Sequence, residues 1–120
     1  MRKKILVVED NKDLSAILIK MLELNGFSVD LVEDGDAMLG HLKTGKEPEA
    51  IILDLTLPGR SGFDLLCTIN SIWPAARIYI FTGRSEYHER HGLKSYNIAG
   101  FFSKSEGVNK LIEAMKEDIG

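Results

Sequence analysis

Three carboxylates stand at the ends of two short apolar runs. Residues 51–53 lead into Asp54, and residues 5–8 lead into Glu9 and Asp10. A strand that is buried between helices reads as a continuous apolar run, so we expect two buried strands with acids at their tips. An ionised carboxylate in such a place costs free energy unless a cation, a hydrogen-bond donor or solvent meets it. The chemistry of the chain therefore depends on what lies opposite Asp54.

Polar side chains also follow two later apolar runs. Thr82 follows residues 77–81, and Lys104 comes shortly after residues 98–102. If these strands are parallel neighbours, about 4.8 Å apart, their carboxyl ends meet at one crevice. Crowded carboxylates raise one another's pKa unless a cation compensates them, and oxygen ligands without His or Cys suit Mg²⁺ or Mn²⁺.

Phosphoryl transfer is the chemistry that uses all of these groups. Asp54 is able to attack phosphorus and form an acyl phosphate, as carboxylates do in aspartyl-phosphate enzymes. A metal ion and the Lys104 ammonium would spread the charge of the transferring group, and the Thr82 hydroxyl would donate to its oxygens. Taken singly, each residue is more often a helix cap, a turn former or a solvated charge, so the hypothesis depends on the combination.

Strands and helices alternate along the chain. An amphipathic helix with Leu14, Ile17, Leu18, Met21 and Leu22 on one face begins at the cap Asn11 and stops at Gly26. The predicted strands are residues 5–8, 27–32, 51–54, 77–81 and 98–102. Two further predicted helices are residues 36–43, with Ala37, Met38, His41 and Leu42 inward, and residues 61–73, with a Ser61 and Asp64 capping box. The last two are residues 85–94 and a final amphipathic helix that Val108, Leu111, Ile112 and Met115 mark and that closes at Ile119.

This alternation predicts the fold class. Short connections between strands and helices imply an α/β fold with a doubly wound, five-stranded parallel sheet and helices on both faces, because right-handed crossovers leave few other arrangements. A flavodoxin-like strand order of 2-1-3-4-5 makes strands one and three neighbours at the crevice. We expect residues 1–120 to form a single domain, since no linker or repeat divides them.

Composition excludes several classes of function. The chain has 15 Lys and Arg against 18 Asp and Glu, so direct binding of nucleic acid by this domain is not expected. The single cysteine, Cys67, cannot form an intramolecular disulfide and is predicted to be a small buried hydrophobe. The first apolar run is too short for a signal or membrane segment, so the expected location is the cytoplasm, with no membrane partner.

Four motifs resemble one family in order, spacing and strand position. VVED at 7–10, ILDLTLPGRSG at 52–62, FTG at 81–83 and GFFSK at 100–104 are similar to the response-regulator receiver domains of two-component signalling, over essentially the whole chain. The resemblance implies that Asp54 is the phosphoacceptor and that Lys104 is the family's lysine. It implies Mg²⁺ (or Mn²⁺) ligands in Glu9, Asp10, Asp54 and the main-chain carbonyl of Thr56. It also implies that Thr82 is the switch hydroxyl and Phe101 the aromatic rotamer switch.

The resemblance further implies a mode of action. Such a domain takes its phosphoryl group from a sensor histidine kinase, a phosphotransfer protein or a small phosphodonor, and it assists its own phosphorylation and dephosphorylation rather than acting as an enzyme. Its partner-binding surface comprises predicted helix four (residues 85–94), strand five and predicted helix five, for a homodimer or an effector domain. The sequence leaves open whether the chain stands alone or is the receiver half of a longer regulator.

The chain departs from the family pattern at two positions. Receiver domains usually follow the lysine with a proline in a cis peptide, but Ser105 follows Lys104 here. A cis bond before another residue costs about 3–4 kcal/mol, so we expect a trans peptide and a differently set loop. Phe101 replaces the usual tyrosine, so its burial should depend on packing alone. Arg84, two residues after Thr82, is a candidate for reaching the mouth of the site.

Two other functions compete with the phosphorylation switch. Haloacid-dehalogenase-type phosphatases also combine an Asp nucleophile with Mg²⁺, Thr or Ser, and Lys, but their acidic pair comes last in the chain, whereas Glu9 and Asp10 come first. The second alternative is a receiver-like binding module that no longer needs phosphate, which the Ser105 departure makes conceivable.

Overall fold

The computed structural model describes residues 2–59, 61–83 and 97–120. Within these ranges, parallel strands form one five-stranded sheet in the order β2-β1-β3-β4-β5. This confirms the predicted fold class and strand order. The strands are β1 (Lys4–Val8), β2 (Ser28–Val32), β3 (Ala50–Leu53), β4 (Arg77–Thr82) and β5 (Ile98–Ser103).

Helices cover both faces of the sheet. In the described part of the chain they are α1 (Lys12–Leu24), α2 (Gly35–Thr44), α3 (Gly62–Ile72) and α4 (Asn109–Ile119), and a 3-10 turn (Lys104–Glu106) follows β5. The helix α4 is the predicted helix five. The predicted helix of residues 85–94 lies outside the described residues. None of the described helices is both long enough and apolar enough to cross a membrane.

Each strand sends alternate side chains to opposite faces, which produces two cores. In β1, Leu6 and Val8 join the core under α2 and α3, whereas Ile5 and Val7 join the core under α1 and α4. Both faces of the central strands are therefore apolar, which explains their continuous apolar runs. The second core also contains Leu18, Leu22, Phe27, Ala50, Ile52, Tyr79, Phe81, Leu111, Ile112, Met115 and Ile119.

Local signals fix the helix starts. The Asn11 side chain accepts a hydrogen bond from the Leu14 amide at 3.0 Å, as predicted, and Asp34 caps α2 by accepting from the Ala37 amide at 2.7 Å. Ser61 occupies the cap position of α3 but makes no side-chain capping bond. The predicted helix start is therefore confirmed, whereas the capping contact expected from Ser61 is wrong.

Three side chains predicted to face inward are exposed. Cys67 is exposed because Leu65, Leu66 and Ile69 define the inner face of α3, and a residue one position beyond Leu66 points away from it. Ala37 is exposed as well, since Met38 and Leu42, four residues apart, are the buried apolar side chains that hold α2 to the core, with Leu39 packed beside them. Ile17, predicted on the inner face of α1, is 50% exposed, because the fully buried Leu18 and Leu22 define that face and Ile17, one position earlier, points away from it. The predicted burial of Cys67, Ala37 and Ile17 was therefore wrong.

Candidate functional site

The sheet brings two of the predicted carboxylates together. β1 and β3 are neighbours with Val8 opposite Leu53, so Glu9 and Asp54 follow directly at one edge. Their side chains are each only 2% exposed. The Asp54 amide donates to the Val8 carbonyl at 3.3 Å, which extends the pairing one residue past the strand. Asp10 is exposed, yet ligand oxygens of Glu9, Asp10 and Asp54 all lie within 4.8 Å of one another.

The Lys104 ammonium lies between the two buried acids. Its Nζ is 2.6 Å from Oδ2 of Asp54 and 2.9 Å from Oε1 of Glu9. The lysine comes from the turn after β5, at the edge of the sheet, and reaches across to the ends of β1 and β3. It therefore supplies the positive charge that two buried carboxylates require.

Thr56 holds the other oxygen of Asp54. Its amide donates to Oδ1 at 3.0 Å and its hydroxyl donates to the same atom at 2.9 Å. We predicted only the main-chain carbonyl of Thr56 as a participant, so these two donors were missed. The signal was present as an Asp followed two residues later by Thr, a spacing at which an aspartate accepts from the local backbone.

Glu9 is restrained in a similar way. One carboxylate oxygen, Oε2, accepts from the Asn11 amide at 3.1 Å, and its own amide donates to the Val32 carbonyl at 3.0 Å. Asn11 thus caps α1 with its side chain and binds Glu9 with its amide, and only the first role was predicted. The result is a carboxylate fixed on both sides, by the α1 start and by Lys104.

Burial and the ion pairs shift the pKa values of Glu9 and Lys104 in opposite directions. Burial raises the pKa of Glu9 above its usual value, although the hydrogen bonds from Lys104 and Asn11 act to lower it. Burial lowers the pKa of Lys104, but its hydrogen bonds to Asp54 and Glu9 outweigh this effect, so the pKa is raised overall. Lys104 is therefore a permanent ammonium at neutral pH, in a site that favours additional positive charge.

Thr82 and Phe101 lie on the two strands beside the carboxylates. Thr82 ends β4, is fully buried and pairs with Ser103 of β5. Phe101 is half-buried and packs against the core under α2 and α3. Arg84 lies outside the described residues.

The loop that carries Asp54 and Thr56 is pressed against α3. A Cβ added to Gly62 would lie 2.4 Å from the Leu55 backbone, so only glycine permits this approach. The same loop receives a hydrogen bond at the Pro58 carbonyl from the Gly35 amide at 3.1 Å. The positions of Asp54 and Thr56 therefore depend on both α2 and α3.

The turn after β5 differs from the family pattern as expected. The described residues contain no cis peptide, so the bond between Lys104 and Ser105 is trans, as predicted. The turn ends at Gly107, whose φ of 81° is in the left-handed region that favours glycine, and the Gly107 amide donates to the Lys104 carbonyl at 3.2 Å.

The donor set fits a hard divalent cation. Three carboxylates offer oxygens within 4.8 Å of one another, with no His or Cys in the group that they form. Mg²⁺ and Mn²⁺ prefer such oxygen ligands and need an open position for a water or a phosphate oxygen. The exposed Asp10 leaves the group open to solvent on one side.

The family follows from a comparison that spans most of the chain. The family model described as response regulator receiver domain matches residues 5–116. The chain belongs to the family of response regulator receiver domains, whose members act as signalling switches rather than as enzymes with substrate turnover.

Curated relatives are longer proteins. The chain is 34% identical over 89 residues to the transcriptional regulatory protein CreB of Escherichia coli (strain K12), a match that covers 74% of this chain and 38% of CreB. It is 28% identical over 113 residues to the response regulator MprA of Mycobacterium sp. (strain KMS), covering 94% of this chain and 49% of MprA. The chain thus spans less than half the length of these relatives.

Solved structures agree in fold. The response regulator protein TrrA of Thermotoga maritima, in complex with Mg²⁺-BeF, is 30% identical with a TM-score of 0.82, and the match covers 96% of this chain and 97% of that one. A CheY-like receiver domain protein from Methanospirillum hungatei JF-1 has a TM-score of 0.88 at 20% identity, covering 98% and 93%. The second likeness concerns the fold alone.

Proposed function

We propose that this domain is a phosphorylation switch in which Asp54 accepts a phosphoryl group in a reaction that needs Mg²⁺ or Mn²⁺. The observation that carries the proposal is the surroundings of Asp54, a carboxylate 2% exposed with an ammonium at 2.6 Å. Two further carboxylates lie within 4.8 Å. Stability alone does not explain this cluster of buried charges. Apolar residues of similar volume in place of a buried ion pair are often equally or more stabilising, so the charged groups point to a chemical role.

The chemistry is a displacement at phosphorus. Oδ1 of Asp54 is held by Thr56, so Oδ2, beside Lys104, is the oxygen that we assign as the nucleophile. With acetyl phosphate, a bond forms between Oδ2 and phosphorus while the bond from phosphorus to the acetate oxygen breaks, and acetate leaves with the electron pair. The product is an acyl phosphate on Asp54.

The surrounding residues act on the charge of the transferred group. Lys104 already contacts Oδ2, so its ammonium is placed to neutralise the phosphoryl oxygens as the new bond forms. Thr82, buried at the end of β4, is the hydroxyl assigned to donate to a phosphoryl oxygen afterwards. Water is excluded from the floor of the site by the two cores that flank β1 and β3.

The metal ion would be held by oxygen ligands of this chain. Glu9, Asp10, Asp54 and the main-chain carbonyl of Thr56 are the residues assigned to it. When bound, Mg²⁺ would neutralise negative charge on both the carboxylates and the phosphoryl oxygens. Glu9 supports this assignment, because burial raises its pKa and an added cation would relieve that penalty.

The effect of phosphorylation is a change in the partner-binding surface of the domain. An acyl phosphate carries nearly two negative charges where the Asp54 carboxylate carried one, and it offers three acceptor oxygens, enough to bias a two-state loop. Thr82 and Phe101 then reposition together, which alters the surface of β5, α4 and the predicted helix of residues 85–94. The phosphoryl donor is a sensor histidine kinase or a phosphotransfer protein, and the altered surface binds a second copy or an effector domain.

Intact-mass measurement tests the proposal directly. The purified domain is incubated with acetyl phosphate and Mg²⁺, and the expected result is the added mass of one phosphoryl group. Asp54→Asn abolishes the adduct, as does removal of the metal with EDTA, whereas Asp64→Asn, which changes an exposed carboxylate on α3, does not. An adduct that persists in Asp54→Asn would refute the assignment.

The same preparation separates the alternatives. A phosphatase would release p-nitrophenol continuously from p-nitrophenyl phosphate, whereas a switch shows no sustained turnover. A phosphate-independent module would give no adduct and would bind its partner equally well as Asp54→Ala. Membership in the receiver family and the paired environment of Asp54 both favour the switch.

A further inference from the structure

The serines on either side of Lys104 are bonded to each other. The Ser103 hydroxyl accepts a hydrogen bond from the Ser105 amide at 3.3 Å, and the two hydroxyl oxygens are 2.8 Å apart. Ser103 therefore caps the 3-10 turn in which Lys104 is the first residue. This is an N-cap of the usual chemical type, a serine oxygen that satisfies a backbone amide at the start of a turn.

Few other contacts hold the 3-10 turn of Lys104–Glu106 in place. Its closing backbone bond is the one from the Gly107 amide to the Lys104 carbonyl, and Ser105, Glu106 and Gly107 are all exposed. Short 3-10 turns have poor hydrogen-bond geometry and are marginal without support. The proline that receiver domains usually carry at this place would restrict the backbone through its ring, but Ser105 has no such ring.

The two ion pairs of Lys104 require that the backbone of this turn is fixed. A lysine side chain loses more rotamer entropy than most when it is fixed, and any drift of its Cα adds to the distance that it must span. Its ammonium nevertheless makes two short contacts, 2.6 Å to Asp54 and 2.9 Å to Glu9. The backbone from which Lys104 starts must therefore be held in place.

Ser103 is suited to this role by its position in the sheet. It is the last residue of β5 and pairs with Thr82 of β4, so its backbone is fixed relative to the site. We propose that Ser103 is a positioning residue whose hydroxyl, by capping the turn through Ser105, places the Lys104 ammonium on Asp54 and Glu9. This inference rests on the proposed phosphoacceptor function for its kinetic consequence.

A second contact to the turn is weaker. Lys110 of α4 pairs with Glu106 at 2.6 Å, but both side chains are more than half exposed. Exposed ion pairs contribute little, because water and salt screen them. Lys110 therefore supplies a matched control for the loss of a contact to the same turn.

Phosphorylation kinetics with acetyl phosphate and Mg²⁺ provide the first test. Ser103→Ala should lower the rate constant about tenfold, in line with the loss of a side-chain cap. Ser103→Thr retains a hydroxyl and should restore the rate to within about twofold of the unmodified chain. Ser71→Ala, which removes an exposed hydroxyl at the far end of α3, and Lys110→Met should leave the rate unchanged.

A double-mutant cycle distinguishes positioning from a general structural effect. If Ser103 acts through Lys104, then adding Ser103→Ala to Lys104→Met should produce no further loss of rate. Losses that multiply in the double variant would overturn the inference, as would a Ser103→Ala rate equal to that of the unmodified chain. Either result would leave the proposed function intact.

A direct observation of the lysine keeps the inference testable if phosphorylation fails. In nitrogen-15 NMR of the unphosphorylated domain, a hydrogen-bonded Lys104 ammonium exchanges slowly enough to give a resolved signal, identified by its absence in Lys104→Met. The signal should broaden or vanish in Ser103→Ala and return in Ser103→Thr. An unchanged signal in Ser103→Ala would refute the positioning role, whereas absent phosphorylation with the expected NMR changes would refute the proposed function alone.

Discussion

Lys104 is the residue on which the charge balance of the site depends. Its side chain is 23% exposed, whereas the Asp54 and Glu9 side chains that it contacts are each 2% exposed. Breaking a buried ion pair by removing one partner leaves the other charge without compensation, and this costs more than the pair itself contributes. The lysine therefore has two roles, one in the stability of the metal-free domain and one in the proposed transfer.

Lys104→Met tests both roles at once. In EDTA, we expect the free energy of unfolding to fall by about 1–3 kcal/mol, less than for a fully buried pair because Lys104 is partly exposed. Adding Mg²⁺ should recover part of the loss, since a cation that binds the folded state stabilises it. Urea unfolding with and without Mg²⁺ measures the effect.

The control for this substitution is Lys110→Met, which removes an exposed lysine with a single carboxylate partner. Its unfolding free energy should stay close to that of the unmodified chain, with no added response to Mg²⁺, because water and salt screen an exposed ion pair. Equal stability of the Lys104 and Lys110 variants in EDTA would contradict the charge balance argued for the site.

Thr56 allows a finer test of how Asp54 is held. Thr56→Val removes the hydroxyl that donates to Oδ1 at 2.9 Å but keeps the amide that donates to the same atom at 3.0 Å. Because the residue is exposed and water can replace the hydroxyl, we expect the phosphorylation rate to fall only about threefold to tenfold. Thr56→Ser should remain close to the unmodified chain. A Thr56→Val rate that matches Asp54→Asn would show that the hydroxyl has a larger role.

At the scale of elements, the close contact between α3 and the loop after β3 controls the site. A Cβ at Gly62 would lie 2.4 Å from backbone atoms of Leu55, next to Asp54. Gly62→Ala should therefore lower the unfolding free energy by about 1–3 kcal/mol and also slow phosphorylation, because the loop must move away from the helix.

Gly40 supplies the matched comparison on α2. A Cβ there would meet nothing within 4 Å, so Gly40→Ala should raise the unfolding free energy by about 0.5–1 kcal/mol. The two substitutions thus have opposite predicted signs, and chemical denaturation distinguishes them. If Gly62→Ala were neutral, the loop would not depend on this contact as argued.

The placement of the main site residues could be predicted from sequence because it depends on strand ends. Glu9 and Asp54 follow apolar runs, and neighbouring parallel strands carry such residues to a common edge whatever the details of the loops. The same reasoning found the strand order and most of the inward-facing residues of α1, α3 and α4. Boundaries differ by one or two residues, for example in β1, which begins at Lys4 rather than Ile5.

The contacts that could not be predicted depend on loop conformation. The Thr56 donors, the Asn11 amide on Glu9 and the bond between Ser103 and Ser105 each require backbone angles that no periodic pattern specifies. Cys67 shows the related error for a helix, since its apolar type suggested burial while the angular position on α3 determined exposure. Residue type and strand position predicted which side chains the sheet brings together more reliably than they predicted individual hydrogen bonds.

At the scale of the whole molecule, a hydrogen bond between two side chains joins the sheet to the last helix. The Tyr79 hydroxyl of β4 donates to Oδ2 of Asp118 near the end of α4 at 2.7 Å, and the Tyr79 ring packs beside Phe102 of β5 with centroids 6.5 Å apart. Burial, followed by the bond to Asp118, raises the pKa of Tyr79 above its usual value. The phenol of the folded state thus stays neutral at pH values where that of the unfolded chain ionises.

The sign of the resulting pH dependence follows from that shift. A raised folded pKa means that the stabilising effect is complete below the unfolded value of 10.0 and is lost as the pH rises through the folded pKa. Lys104 adds to the same trend, because its pKa is also raised from 10.5. The domain should therefore lose stability progressively once the pH exceeds about 10.

Tyr79→Phe isolates the part of this trend that belongs to the tyrosine. At pH 7 the variant should be less stable by about 1 kcal/mol, since a hydrogen bond is lost and the exposed Asp118 is solvated instead. Between about pH 10 and 11.5 its stability should fall less steeply than that of the unmodified chain, because the unfolded variant has one proton fewer to release. Urea unfolding across this pH range measures both effects, and parallel curves for the two proteins would show that Tyr79 titrates alike in the folded and unfolded states.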